Sequence, residues 1–336
     1  MKKNICYIVL VNYKGWKDTI ECLESLLKMD NQNFRVIVCD NDSGDHSLDN
    51  IESWAKGKIK ASYSEMADIK KLVFPFSPKP VDYSRIDDKH ISGYVADHKI
   101  ILIQNCKNGG FAYGNNIGIK LAMAQPDCRY LWCLNNDTVV IGNCLDELEK
   151  VMDNDDTIGI CGTMTRYYYS PDRIQCEGGY KLNKWTFKNR RLTKEELKNN
   201  KFDYINGASM FINPQFIRDI GYMNEEYFLY CEEPDWSFRN HGKYKLVYAP
   251  DAVIFHKEGA STGGNNAAKN EKSYVSDFYS IRSRIRLARN YYHWGIGIVY
   301  FLLFGAIIHR FQRKQYFRIW MILKLMANPD REIDEI

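Results

Sequence analysis

"VIVCDNDSGD", residues 36–45, is the stretch that decides the fold. Four apolar residues, 36–39, stop abruptly at Asp40, and a turn-forming run of Asn41, Asp42, Ser43 and Gly44 follows. A strand whose successive residues are all apolar is buried on both faces, as in a parallel sheet covered by helices. Comparable runs recur at 5–11, 100–104 and 130–134, and helical segments at 19–27 and 116–124 fall between them. The spacing predicts βα units and an α/β, Rossmann-like, mainly parallel sheet flanked by helices.

Ligands of such sheets sit beyond the carboxyl ends of the strands. The residues there are polar: Asn12 and Tyr13, Asp40 and Asn41, Asn105, then Asn135, Asn136 and Asp137. Asp40 can accept a hydrogen bond from a nucleobase imide or a ribose hydroxyl, and it serves equally in an Asx-turn. "NCKNGGFAYGNNIGIK", residues 105–120, joins a strand to a helix through glycines and asparagines, which suits close approach of a phosphate or base. It is neither the phosphate loop of NTPases nor the dinucleotide fingerprint, and a tight turn with a helix cap explains it as well.

"YLWCLNNDTVV", residues 130–140, places Asp137 three residues past the apolar strand. A hard carboxylate there suits Mg²⁺ or Mn²⁺ held jointly with a diphosphate, or a plain polar turn. "APDAVIFHKEGAST", residues 249–262, carries His256 at a strand end, followed by Gly259 and Ser261; it gains meaning only beside Asp137. "YCEEPDWSFR", residues 230–239, sets Glu232 and Glu233 before a proline favoured in the first helical turn. The helix is expected to begin at Pro234, with its dipole lowering the Glu233 pKa. Asp235 and Arg239, four apart, are spaced to pair.

The 336 residues are 45% hydrophobic and 26% charged, a globular composition, and a net charge of +4 without a basic stripe argues against nucleic acid. Ten cysteines are scattered without a C-x-x-C pair, which points to a reducing, cytoplasmic compartment. The apolar N-terminal run reads as a buried strand, being too short for a signal peptide and lacking a cleavage site. Residues 54–99 lose the βα rhythm and read as an insertion at the sheet edge, and from Ser273 the chain turns arginine-rich, aromatic and apolar.

In this order, the pieces resemble glycosyltransferase family 2, the inverting enzymes of GT-A fold, in its bacterial rhamnosyltransferase-like and galactofuranosyltransferase-like branch. The resemblance spans residues 4–262 and implies a GT-A domain over 1–265 and a helical tail over 266–336. It implies that Asn12, Tyr13, Asp40, Asn41, Asn108, Gly110, Phe111, Asn115, Asn116 and Asn136 hold the donor nucleotide. Gly207, Ala208 and Ser209 of "NGASMFI", with Trp236, would border donor sugar and acceptor; Trp236 equally well packs. Asp137 and His256 would hold Mg²⁺ or Mn²⁺, with Asn135 standing where the metal motif usually has its first acid. Glu233 would be the base, where the family usually has Asp, supported by Glu232, Asp235 and Arg239.

Inverting transfer needs one carboxylate to take the acceptor proton and positive charge against the leaving diphosphate. A retaining glycosidase instead sets two acids about 5 Å apart across the bond, which adjacent Glu232 and Glu233 cannot do. "QYFRIW", residues 315–320, departs from the Q-x-x-R-W of processive synthases, so single addition is expected. The uncharged segment 294–308, with arginines on both flanks, is shorter than a membrane span and suits a helix lying in the cytoplasmic leaflet. A buried core or homodimer helix and a true span are the other readings. The expected function is transfer from a UDP- or dTDP-sugar (dTDP-rhamnose or a UDP-hexose) to a lipid-linked glycan of a bacterial surface polysaccharide, at the inner face of the plasma membrane. A sugar-nucleotide nucleotidyltransferase, which normally carries a glycine-rich N-terminal loop, and a non-catalytic partner of the same fold are the rivals.

Overall fold

The computed structural model describes residues 4–257 and 273–335. In chain order the first half is β1 (Ile5–Asn12), α1 (Trp16–Leu27), β2 (Phe34–Asp40), α2 (Ser47–Ala55), α3 (Ala67–Val73), β3 (Tyr83–Asp87), β4 (Ile100–Gln104), α4 (Gly110–Met123), β5 (Cys128–Asn135), β6 (Thr138–Val140) and α5 (Cys144–Asp153). There follow β7 (Ile158–Tyr167), β8 (Ser170–Glu177), β9 (Gly179–Leu182), β10 (Asn189–Arg190), α6 (Lys194–Lys198), β11 (Tyr204–Ile205), β12 (Ser209–Ile212), α7 (Pro214–Ile220), α8 (Glu232–Arg239) and β13 (Lys245–His256). Three helices end the chain: α9 (Tyr274–Tyr291), α10 (Ile296–Gln312) and α11 (Tyr316–Ala327).

The main sheet runs β3-β4-β2-β1-β5-β12-β7-β13-β6, with β8 paired to β7. Strands β3 to β5 are mutually parallel, whereas β12 runs antiparallel to both β5 and β7. Alternate residues of β1 enter two cores: Cys6, Ile8 and Leu10 pack with α1 and α5, Tyr7 and Val9 with α4. Both faces are therefore covered, which is why the strands read as unbroken apolar runs. Helix α4 lies close on β1 because a Cβ at Gly118 would come within 2.5 Å of Val9 Cγ1.

The insertion adds β3 to the sheet edge and is latched to α1 by one buried carboxylate. Glu24 accepts from Trp54 Nε1 at 2.7 Å, Ser77 N at 2.8 Å and Lys79 Nζ at 2.8 Å. Removing one partner of such a buried charge typically costs about 3–5 kcal/mol.

The C-terminal segment differs from a free tail. Tyr227 is buried with Phe278, Ile285, Val299, Leu303, Met321 and Leu325 in a third core, so α9, α10 and α11 fold around the segment that leads into α8. Helix α10 buries Val299 and Leu303 in that core and packs Ile296, Tyr300, Ala306 and Ile307 partly against it. Phe301 is 75% exposed, and Phe304, Ile308 and Phe311 also face outward. With its preceding turn, 293–312, the helix spans 20 residues, and its 18-residue apolar window has mean hydropathy 1.6, enough to cross a membrane by length and composition, although its uncharged part alone is shorter.

Candidate active site

The ends of β1, β2 and β5 are tied by side chains that the sequence nominated for the donor. Asn12, which is fully buried, donates to Asp40 Oδ2 at 2.5 Å and accepts from Thr19 Oγ1 at 2.9 Å. Asp40 also accepts from Ser43 N and Ser43 Oγ, and Asn136 donates to Thr19 Oγ1 at 2.8 Å. These groups spend their hydrogen bonds on each other and fix the strand ends as a platform. Tyr13, half-exposed beside Lys14, stands at its rim. A cleft of about 430 Å³ opens next to Asp40, lined also by His46, Arg85, Gln104 and Cys106.

Helix α4 starts at Gly110, well before the expected 116, so the glycine pair forms its first turn. Gly110 has φ +85, and a Cβ there would overlap the Phe228 carbonyl. Asn108 Oδ1 accepts from Gly110 N, Asn41 Nδ2 donates to the Gly110 carbonyl, and Phe111 N donates to the Phe228 carbonyl. The loop is thereby bolted to the segment before α8. Two nominations inside the helix change meaning: Asn115 donates back to the Phe111 carbonyl, and Asn116 uses both ends of its amide on Met223 and Glu225. Asn116 is a buried brace and has no free group for a nucleotide.

His256 and Asp137 do meet. His256 Nε2 lies 3.1 Å from Asp137 Oδ1 and 3.2 Å from Asn135 Nδ2, while His256 Nδ1 faces Gln175 Oε1 at 2.9 Å. Gln175, on β8, is placed to accept an Nδ1 proton; a protonated ring donates from Nε2 to Asp137, and a neutral ring with its proton on Nδ1 would offer the Nε2 lone pair to an ion held with Asp137. Burial raises the Asp137 pKa, but His256, the backbone and Lys257 outweigh it, so the net shift is downward and the carboxylate stays charged. An anionic oxygen and an imidazole nitrogen converging on one point fit a divalent ion that draws its other ligands from phosphate and water. Among the described residues, no group of three or more His, Cys, Asp and Glu forms a closed metal cage. Lys257 is held by Asp18 and Glu21, both at 2.5 Å. Gly259 and Ser261 lie outside the described residues.

Glu232 and Glu233 open α8, two residues ahead of the expected start at Pro234. Tyr230 and Cys231 precede them with φ 68 and 70, a left-handed pair costly for non-glycine residues and concentrated at functional sites. The Gly207 backbone hydrogen-bonds the Glu233 carboxylate, and a Cβ on Gly207 would overlap Glu233 Oε1. The expected lowering of the Glu233 pKa is overturned. Desolvation raises it, outweighing its own backbone bond and that from Gly207. Glu232 is raised well above the usual range by burial and by the neighbouring Glu233 charge, and its Oε2 has no partner among the described residues.

Asp235 and Arg239 pair as their spacing predicts, Nε to Oδ2 at 2.9 Å, and Tyr291 of α9 donates to Asp235 Oδ1 at 2.8 Å. Arg239 also donates to the carbonyls of Ile220 and Tyr222, so the pair braces α8. Trp236 offers no wall to a sugar: it is fully buried, donates to the Gly221 carbonyl at 2.8 Å and packs edge-on to Phe216. Ser209 is likewise buried, accepting from Trp132 Nε1. The Ala208 carbonyl accepts from Asn135 N at 3.0 Å, which sets the Gly207 turn against the turn that carries Asp137.

A family model described as glycosyl transferase family 2 matches residues 7–67 and 82–216. The chain belongs to glycosyl transferase family 2. The unmatched stretch between the two blocks lies in the insertion of this family 2 glycosyltransferase. Its fold is similar to that of GalNAc-T7, solved with UDP, GalNAc and Mn²⁺, at TM-score 0.56 and 14% identity over 84% of this chain and 47% of that one. It is also similar to the mannosyltransferase PcManGT from Pyrobaculum calidifontis, solved with GDP-Man and Mn²⁺, at TM-score 0.52 and 11% identity over 97% of this chain and 86% of that one. The chain thus spans about half the length of GalNAc-T7. No curated protein sequence matches it.

Proposed function

We propose that this chain is a metal-dependent, inverting, non-processive glycosyltransferase, moving a sugar from a UDP- or dTDP-donor to a hydroxyl of a lipid-linked glycan in bacterial surface polysaccharide synthesis. The observation that carries the reading is the juxtaposition of three turns: Glu233 rests on Gly207, Ala208 bonds Asn135, and Asp137 faces His256. One carboxylate available as a base therefore sits beside one pair suited to an ion, the minimum that inverting transfer requires.

In this arrangement Glu233, oriented by Gly207, takes the proton of the acceptor hydroxyl as that oxygen attacks the anomeric carbon. Asp137 and His256, the latter oriented by Gln175, would hold Mg²⁺ or Mn²⁺, which when bound would supply positive charge against the departing diphosphate. The metal in both similar structures supports this cofactor class. Burial and the neighbouring Glu233 charge raise Glu232 well above the usual carboxyl range, so the adjacent pair favours carrying a single charge.

The C-terminal helices support a peripheral seat on the cytoplasmic leaflet. Phe301, Phe304, Ile308, Phe311, Phe317 and Trp320 are exposed, and Arg313 and Lys314 at the α10–α11 turn are exposed with them. Aromatic and aliphatic side chains beside unpaired cations match an anionic lipid surface.

Incubation with a panel of UDP- and dTDP-sugars and Mn²⁺, following nucleotide release, tests the reading. Release that stops on chelation of the metal is expected. No release from any donor, together with no metal-dependent nucleotide binding, would instead mark a non-catalytic member of the family.

A further inference from the structure

Pairing of arginines within α9, α10 and α11 is nearly complete. Arg282 reaches Glu332 at 2.5 Å, Arg286 and Arg289 reach Asp330 at 3.3 and 3.2 Å, and Arg310 and Arg318 close on Asp277 at 2.7 and 3.1 Å. Arg284 is the exception. It has no ion pair and no hydrogen bond among the described residues, and its side chain is half-buried with guanidinium nitrogens that still reach solvent. Burial pushes its pKa down from the usual arginine value, opposed by the nearby Cys231 and Asp277, and arginine remains a cation throughout. A half-buried cation that no carboxylate pairs and that opens to solvent is placed to receive an anion.

Its position says which anion. The turn of α9 that carries Arg284 is fastened to the segment leading into the candidate base: Ser283 Oγ donates to the Leu229 carbonyl at 2.8 Å, and Arg286 Nη1 donates to the Glu226 carbonyl. The Arg284 charge is felt at Cys231, which directly precedes Glu232 and Glu233. The donor diphosphate would have its own partner in an ion held by Asp137 and His256. A second cation, supplied by the helix bundle that carries the aromatic face, is left for the other substrate.

We propose that Arg284 binds a phosphate of the acceptor's lipid linker and so positions the acceptor hydroxyl toward Glu233. The planar guanidinium matches two phosphate oxygens at once, which a lysine cannot reproduce. The inference rests on the lipid-linked acceptor proposed above.

Farnesyl diphosphate in detergent micelles, titrated into wild type, Arg284→Lys and Arg284→Met, is the probe, with neutral farnesol and glucuronate as comparisons. Wild type is expected to prefer farnesyl diphosphate over farnesol, with binding weakened by about tenfold or more in Arg284→Met and less in Arg284→Lys. Farnesol binding and UDP binding with Mn²⁺ should be equal in all three proteins, which also shows that the variants are folded. Equal farnesyl diphosphate binding in wild type and Arg284→Met, or no preference over farnesol, overturns the assignment. Glucuronate binding lost in Arg284→Met would move the site to an acidic sugar and overturn it as well. Failure of UDP to bind wild type would instead strike the transferase reading, leaving the diphosphate comparison to be read separately.

Discussion

Glu233 lies with its carboxylate against the backbone of Gly207, in a space that a single methyl group would fill. Gly207 has no left-handed φ, so its lack of a side chain answers to the glutamate and to no backbone requirement. Gly207→Ala should fold normally, displace Glu233 and lower kcat by about 10²-fold, the lower range for loss of a general base, while KM for the donor stays near wild type. Steady-state kinetics of the variant check this.

The two adjacent glutamates should behave oppositely. Burial and the Glu233 charge raise the Glu232 pKa well above the usual range, so Glu232→Gln, an isostere of the protonated acid, should retain most activity. The sign of the pH dependence follows from the raised values. Glu233 must be ionised to act, so activity is lost as pH falls through its folded pKa, at a pH above the roughly 4.3 of a free glutamate. For Glu232 the folded value exceeds the unfolded one, so stability is full below the unfolded pKa and declines as pH rises toward the folded one. Glu232→Gln should flatten that decline, which thermal melts across pH 4 to 8 (about the range between ordinary and strongly raised carboxyl values) would show.

Gln175 should matter to the metal although it touches none. Its Oε1, 2.9 Å from His256 Nδ1, is placed to accept that nitrogen's proton, which would free Nε2 to ligate an ion. Gln175→Leu should weaken Mn²⁺ binding by about 10–100-fold in a direct metal titration, with nucleotide-free stability little changed. Asp137→Ala and His256→Ala should weaken it further.

Much of this was legible from residue order, and the remainder failed for one reason. The strands declared themselves because burial on both faces leaves unbroken apolar runs, and Asp137 and His256 because both stand at strand ends. Gln175 carried no signal: it sits in an ordinary β8 sequence and acquires its role only when β13 brings His256 alongside. Trp236 looked equally suited to a sugar or to packing and Asn116 stood among the nucleotide ligands, and only packing against Phe216 and the hydrogen bond to the Met223 carbonyl turn them to the core. The Glu233 pKa was misjudged because a helix dipole is local whereas desolvation comes from the whole fold. The part played by α9 was hidden by distance in sequence, since Ser276 meets Tyr230 across 46 positions and Asn290 meets Tyr227 across 63.

The outward face of α10 should control membrane association independently of folding. Phe301 and Phe304 are 75% and 55% exposed, so Phe301→Glu with Phe304→Glu removes no core contact. The double variant should lose co-sedimentation with vesicles containing anionic lipid while its Tm stays within a few degrees of wild type. Unchanged sedimentation would show that the face meets something other than lipid.

The most direct measurement compares Glu233→Gln with wild type for nucleotide binding and for nucleotide release from the donor that wild type accepts, at saturating Mn²⁺. The structure predicts unchanged binding and a fall in transfer of at least about 10²-fold. Turnover like wild type in Glu233→Gln would contradict the assignment and move the base to another carboxylate.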